Sequence, residues 1–314
     1  MDPLSQVLSL LKPHSYKFGG IDVGGPLAIQ FGRHAGIKCY VVVQGGGWLV
    51  VDSVHEPLRV ASGDCFLLPR GLPFRLASDL DVTPIDAMTI FANRQNATIE
   101  KLNGGGDCLI VGGHFLFSGS CAEFLLNVLP PVVHLRGERE KAALRWALER
   151  MMEELREPQP GSLLVMEHLA QMMLVQALRL YLAEGARGGS GWLYALADRQ
   201  MSTAITAMHE EPARRWTVEE LAQRAGMSRS IFAARFKEAV GDSPMEYLTR
   251  WRMLLAEERL ANSGESIAGI AAGLGYESQS AFTKAFKRVM GRLPRRVGRE
   301  REEARRTMVV EVPA

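Results

Sequence analysis

The chain has 314 residues, enough for two domains of ordinary size, and its 47% hydrophobic and 23% charged residues exclude a disordered, collagen-like or disulfide-scaffold protein. The formal net charge of +2 conceals a division: residues 214–299 carry 16 Lys and Arg against 9 Asp and Glu, a net +7, which leaves the remainder at −5. A basic end suits phosphate contact, because Lys and Arg that displace condensed counterions supply most non-specific affinity for DNA.

The start, Met1-Asp2-Pro3, has no basic segment leading into an apolar stretch. No segment approaches the roughly 18 uninterrupted apolar residues of a membrane span, so a cytoplasmic protein without a membrane partner is expected. Residues 1–135 read as short apolar runs broken by Gly, Pro and Asp, such as Cys39-Tyr40-Val41-Val42-Val43 and Trp48-Leu49-Val50-Val51, which is the pattern of strands and turns. Cys39, Cys65, Cys108 and Cys121 form no CxxC pair and are expected to be reduced structural thiols. The seven histidines, His14, His34, His55, His114, His134, His168 and His209, show no HExxH-like spacing, and no metal or other cofactor is expected.

From Glu138 the apolar period lengthens. Leu144, Leu148, Met151, Met152 and Leu155 share one helical face up to Pro158, and a second helix from Ser162 to about Glu184 is apolar almost all round. Residues 136–186 are thus expected to form a helical hairpin able to pack on the strands and on a second subunit. Residues 187–192 then read as a Gly-rich linker, and residues 300–314 as a charged tail.

Between these two segments, residues 193–299 contain an internal repeat. Residues 222–244 and 271–294 align at offsets of 49 and then 50, pairing Gly226 with Gly275, Phe232 with Phe282, Phe236 with Phe286, Lys237 with Lys287, Gly241 with Gly291 and Pro244 with Pro294. In the first copy Thr217 and Glu220 spell a capping box, Gly226 a turn and Ser228 a second cap. Ile231, Phe232 and Phe236 are expected to turn inward, leaving Arg229, Ser230, Ala233, Ala234 and Lys237 outside. In the second copy Ser266 caps, Gly275 turns, and Gln279, Ser280, Thr283, Lys284 and Lys287 face out. A short helix, a Gly-centred turn and a second helix with a polar face is a helix-turn-helix. The helix expected between the copies, Pro244 to about Asn262, spans roughly 28 Å at 1.5 Å per residue, beside the roughly 34 Å between successive major grooves on one face of DNA.

Residues 202–298 resemble the AraC/XylS family of bacterial transcription regulators. The marks are Leu221-Ala222-Gln223-Arg224-Ala225-Gly226-Met227-Ser228-Arg229-Ser230, the run from Gly275 to Lys287, and the closing Gly291 and Pro294. The resemblance implies base contact by Ser230, Ala233 and Ala234 in the first copy and by Gln279, Ser280, Thr283 and Lys284 in the second, with Arg229 beside the first set. Ser228, Lys237, Ser278, Lys287 and Arg288 fall to phosphate contact. Two alanines can meet thymine methyls but make no bidentate hydrogen bond, so the first copy is expected to read apolar contact or shape.

Gly63-Asp64-Cys65-Phe66-Leu67-Leu68-Pro69-Arg70-Gly71-Leu72-Pro73-Phe74 looks like the second cupin motif, G-x5-P-x-G-x2-H, with Phe74 in place of the histidine. The upstream His-x-His pair and glutamate of metal-binding cupins are also missing. Residues 4–184 are similar to the cupin-type sensor of one branch of the AraC/XylS family. The expected architecture is α+β with two domains: an N-terminal cupin-like β-barrel with a helical hairpin, and a C-terminal all-α double helix-turn-helix.

The expected function is a non-enzymatic, sequence-specific regulator of transcription, nucleoid-associated when bound. Its partners would be double-stranded promoter DNA, a second copy of the chain, RNA polymerase if it activates, and an unidentified small effector near Cys39, Trp48, Phe66, Phe74 and His114. Two alternatives stand beside it: a cupin-type metal enzyme fused to a DNA-binding domain, and a redox-sensing regulator using its cysteines.

Overall fold

The structure, a computed structural model, describes residues 1–11, 13–91, 98–117, 119–136, 138–183 and 190–299. The chain divides into two compact units. One comprises the described residues of Pro13–Ser118 and Leu129–Arg187, the other those of Met1–Lys12, Gly119–Val128 and Gly188–Ala314. Most of the proposed linker (residues 187–189) and the charged tail (residues 300–314) lie outside the described residues.

The first unit is built of eleven strands and three helices: β1 (Pro13–Val23), β2 (Ala28–Phe31), β3 (Ile37–Gln44), β4 (Gly46–Val51), β5 (Leu58–Ala61), β6 (Cys65–Leu68), β7 (Phe74–Ala77), β8 (Ile85–Asp86), β9 (Thr98–Leu102), β10 (Cys108–Phe117) and β11 (Val133–Leu135), with α2 (Ala87–Phe91), α4 (Glu138–Arg156) and α5 (Ser162–Ala183). The helices α1 (Pro3–Leu11) and α3 (Ser120–Leu126) belong to the other unit.

The strands form two sheets, β11-β6-β3-β10-β1-β9 and β5-β4-β7-β2-β8. The expected barrel is in this respect an open sandwich: among the described residues no ladder of backbone hydrogen bonds joins the sheets, and each keeps its own edges. Alternation along the strands sends one side of each sheet into a shared core holding Ile21, Ile29, Phe31, Val42, Leu49, Phe66, Leu68, Phe74, Leu76 and Ile110. The longest ladder is the antiparallel pairing of β1 with β10, which runs from Pro13 opposite Phe117 to Val23 opposite Cys108.

On the outer face of the larger sheet, Cys39, Val41, Val111 and Phe115 meet Leu148 and Met151 of α4 and Ala170 and Met173 of α5. Met151 and Met173 thus help to seat the hairpin, the kind of adaptable packing an unbranched thioether side chain supplies. Among the described residues α5 is long and apolar enough to cross a membrane by length and composition. Met166, Leu169, Met173, Leu174 and Leu178 are buried in the protein, whereas Leu163, Leu164, Val165 and Met172 are exposed.

The second unit is helical: α1 and α3, then α6 (Trp192–Ala195), α7 (Arg199–Glu210), α8 (Val218–Arg224), α9 (Arg229–Val240), α10 (Pro244–Asn262), α11 (Ile267–Gly273) and α12 (Gln279–Met290). It departs from the expected division, which placed all of residues 1–135 in the barrel. The reason is tertiary. Leu4, Val7 and Leu11 bury one side of α1, and the Cys121 thiol of α3 donates to the Val7 carbonyl at 3.5 Å. Phe124 stacks on Trp192 with ring centres 5.1 Å apart, and the indole N–H of Trp192 donates to the Phe124 carbonyl. Glu257 of α10 accepts from the backbone N–H and hydroxyl of Ser120 at the start of α3, and from Arg292. A carboxylate 8% exposed that accepts three hydrogen bonds is well satisfied, and it ties α3 to the connecting helix.

Candidate nucleic-acid interface

Both helix-turn-helix copies are built by local chemistry. The Thr217 hydroxyl accepts from the Glu220 N–H and the Glu220 carboxylate accepts from the Thr217 N–H, which starts α8. The backbone N–H of Thr217 and the guanidinium of Arg214 hold the Glu220 carboxyl below the usual range. Gly226 at φ 68° makes the turn, and Ser228 caps α9 by accepting from the Ile231 N–H. In the second copy Ser266 accepts from the Gly269 N–H, Gly275 turns at φ 80°, and Ser278 accepts from the Ala281 N–H. Gly241 and Gly291, both left-handed, end α9 and α12. The link between the copies, α10, covers 19 residues and opens on a Ser243–Glu246 capping box with Pro244 in its first turn.

The buried sides of the two recognition helices match. Phe232 and Phe236 have ring centres 5.5 Å apart, and Phe282 and Phe286 5.8 Å; all four are fully buried. On the outer face of α9 the structure brings together Arg229, Ser230, Ala234 and Lys237, with Ala233 half-buried. On α12 it brings together Gln279, Ser280, Lys284, Lys287 and Arg288, with Thr283 half-buried. The Thr283 hydroxyl donates to the Gln279 carbonyl at 2.8 Å, leaving its oxygen lone pairs for a donor from outside.

One expectation is overturned: Ile231 does not turn inward but is 55% exposed. The repeat held a signal for this, because its counterpart at the offset of 50 is Ala281, a position exposed in the second copy as well. Ile231 lies 100° around the helix from Phe232, on the side away from Phe236.

The loop after α7 joins the two copies into one body. Arg252 of α10 donates to the carbonyls of Pro212 at 2.6 Å and Arg214 at 2.8 Å, and its guanidinium lies 5.7 Å from the Tyr276 ring centre beside the second turn. Arg215 pairs with Glu277 at 2.7 Å. Behind them His209 stacks on Trp251, ring centres 3.9 Å apart, and its Nε2 lies 2.7 Å from the Tyr247 hydroxyl. Burial pushes His209 down to about 3. The spacing of the two recognition helices thus rests on α10, on the half-buried Arg252 and on the buried His209, Trp251 and Tyr247.

In the other unit, the five residues named for the effector do not converge. Phe66 and Phe74 are fully buried between the sheets, with Tyr40 5.3 and 5.9 Å from their rings. Cys39 points to the opposite face, under the hairpin. His114 reaches the Ala35 carbonyl with Nε2 and lies 5.8 Å from the His34 ring. Trp48 does line a cavity, of about 100 Å³, at one end of the sandwich with Ile21, Val23, Leu27, Ile29, Val60, Leu76, Cys108 and Ile110. That end is apolar apart from Asp107, Ser78 and the thiol of Cys108.

Phe74, in the position of the motif histidine, is a core residue 1% exposed. Among the described residues no three His, Cys, Asp or Glu side chains gather to hold a metal. Cys39 and Cys65 have sulfurs 3.9 Å apart, but the contact with Cys39 and burial hold the Cys65 thiol well above its ordinary value. Burial also raises Cys108, and pushes Cys121 up to about 12. A redox sensor needs a low-pKa, accessible thiol.

Comparison with known proteins places both halves. Residues 2–183 match the Cupin family, more than half of the chain, and residues 221–300 match the helix-turn-helix domain family. An AraC-like transcription regulator of Streptomyces lividans is 43% identical over 295 residues, covering 94% of this chain and 97% of that protein. The transcriptional regulator AlkR of Acinetobacter baylyi is 28% identical over 305 residues, 94% of this chain and 98% of its own. Among solved structures, the DNA-binding domain of AdpA in complex with a target DNA is 30% identical over 32% of this chain and 92% of that one, with a TM-score of 0.31.

Proposed function

Because the chain belongs to the AraC-like transcription regulators and is a DNA-binding regulator of transcription with a cupin sensor half, we propose that α9 and α12 enter successive major grooves of promoter DNA under the control of a small effector held between the two sheets. The observation that carries this is the pair of matched helices joined through Arg252 and the buried face of α10.

The two helices divide the reading. Gln279, Ser280, Thr283 and Lys284 offer hydrogen bonds to base edges, and Ala233 and Ala234 offer small apolar contact beside Arg229 and the Ser230 hydroxyl. Ser228, Lys237, Ser278, Lys287 and Arg288 take phosphates. Gln279→Ala with Thr283→Ala is expected to relax base preference in one half of the site, while Lys237→Ala weakens all sequences alike and lowers the salt slope by about one. Equal, sequence-independent losses from both would sink the assignment.

The effector reading is supported by covalent continuity. The Trp48 cavity is lined by Ile21 and Val23 of β1 and by Cys108 and Ile110 of β10. The far ends of these paired strands run directly into α1 and α3, which belong to the DNA-binding unit. An apolar molecule that spread the β1–β10 ribbon at Trp48 would act on the segment that Ser120 ties to Glu257, and so shift the population of DNA-competent states.

Dimerisation is supported by the exposed apolar side chains of the hairpin, Trp146 of α4 with Leu164, Val165 and Met172 of α5, a surface fitted to its own copy. The protein is proposed to act without catalysis, in the cytoplasm, and to touch RNA polymerase where it activates. The experiment that tests the whole is selection of bound fragments from a genomic DNA pool by the full-length protein at physiological salt. A motif of two blocks about one helical turn apart is the expected result. Failure to enrich, both by the full chain and by the chain with candidate apolar effectors added, counts against sequence reading by these helices.

A further inference from the structure

The first recognition helix carries a side chain that folding does not explain. Ile231, in the first turn of α9, is 55% exposed. A single exposed apolar residue is ordinary on a protein surface, so its position has to carry the inference. The internal repeat supplies a control: the same fold places Ala281 at the equivalent point of α12, so the turn, the cap and the Phe pair need no bulk there.

The neighbours of Ile231 sharpen this. Phe232 and Phe236 hold the opposite side of α9 in the core. Arg235, four residues on and on the same flank as Ile231, is drawn away, donating to Gln200 at 3.1 Å and Asp198 at 2.8 Å. The outward residues of the helix's first turns are then Arg229, Ser230, Ile231 and Ala234. Between them Ser230, Ile231 and Ala234 cannot make the bidentate hydrogen bond to a base that Gln279 can make from α12. What they do present is an apolar surface beside two exposed cations, Arg229 and Lys237. In a major groove the apolar group on offer is the 5-methyl of thymine.

We propose that Ile231 is a specificity residue that packs on a thymine methyl in the half of the site lying under α9. The inference rests on the reading of α9 as a base-contacting helix. It makes the two halves of the site chemically different: one read by apolar contact, the other by hydrogen bonds from α12.

The test replaces thymine by uracil, one position at a time, in the recovered motif. Uracil keeps every hydrogen-bonding group and lacks only the methyl. The α12 block is identified first as the one whose preference relaxes in Gln279→Ala, Thr283→Ala. In the other block, uracil at one or two positions is expected to weaken the full-length protein about fourfold, the worth of one buried methyl-sized group. Ile231→Ala, which copies the natural residue of the second repeat, is expected to keep its thermal midpoint, to bind thymine and uracil equally at those positions, and to respond normally in the α12 block. A protein that is indifferent to uracil throughout the α9 block, or an Ile231→Ala variant that retains the full thymine preference, overturns the proposal while leaving the regulator reading intact. Failure to recover any motif overturns base reading by both helices, and this inference with it.

Discussion

Alanine at Gly275 is expected to disable the second helix-turn-helix, whereas alanine at the equivalent Gly226 is expected to be a mild change. Both glycines are left-handed, at φ 80° and 68°, and either substitution meets the roughly 1–2 kcal/mol that an L-residue incurs there. The difference is what stands next to each. A Cβ on Gly226 would meet nothing closer than Nε2 of Gln200 at 3.9 Å. A Cβ on Gly275 would lie 2.1 Å from the carbonyl oxygen of Ala213 and 2.9 Å from its carbonyl carbon. That backbone cannot step aside, because Arg252 holds the flanking carbonyls of Pro212 and Arg214. Gly275→Ala must break those contacts or unfold the turn, and either outcome removes the setting of α12 against α9. Denaturant unfolding and binding to the selected DNA check this: Gly226→Ala should lose about 1–2 kcal/mol and keep its motif, and Gly275→Ala should lose several times more and bind only weakly. Equal costs at the two glycines would show that the Ala213 contact does not constrain the turn.

The second large effect is on acid stability. His209 is 3% exposed, stacked on Trp251, and burial pushes it down to about 3 from an ordinary value of 6.5. Its neutral form is the folded one. The unfolded chain takes up a proton as pH falls through 6.5 while the folded protein does not until about pH 3. The contribution is therefore fully present above pH 6.5 and is lost on acidification, by up to about 1.4 kcal/mol per pH unit. Between pH 8 and pH 5 this amounts to about 2 kcal/mol. The measurement is urea unfolding of the wild type and of His209→Phe at both pH values. The phenylalanine keeps the aromatic stack and leaves the Tyr247 hydroxyl unpaired, a loss that is the same at either pH. The wild type should thus lose about 2 kcal/mol more than the variant between pH 8 and pH 5. Identical pH slopes would show that burial leaves the proton affinity of His209 as it is in the unfolded chain.

These effects bear on how the protein works. The proposed reading of two grooves at once needs the recognition helices at a set distance, and that distance is held by the 19 residues of α10, by Arg252 and by the His209–Trp251 stack. The segments a sensor could use to disturb it are also in place. Glu257, on α10, accepts from Ser120 of α3 and from Arg292 beyond α12, so one carboxylate joins α3 to the connecting helix and to the segment that follows the second copy.

What the sequence by itself determined is the double helix-turn-helix. Capping boxes at Thr217 and Ser243, caps at Ser228, Ser266 and Ser278, left-handed glycines at 226, 241, 275 and 291, and the phenylalanine pairs are chemistry between residues within a few positions of each other. Such signals are written along the chain, and the repeat wrote them twice. The cupin half was legible as strands, a motif and a hairpin for the same reason.

The tertiary structure alone decided which side chains meet across long separations. Sequence order put α1 and residues 119–128 in the barrel, but Val7, Phe124 and Ser120 find their partners at Cys121, Trp192 and Glu257. The five residues named for the effector are scattered because strand alternation sends Cys39 to the hairpin face and Phe66 and Phe74 to the core, while Trp48 lines the cavity at one end of the sandwich. Ile231 looked like a core residue by type and is an outer one by geometry, 55% exposed, since burial depends on what lies opposite a side chain and not on its type.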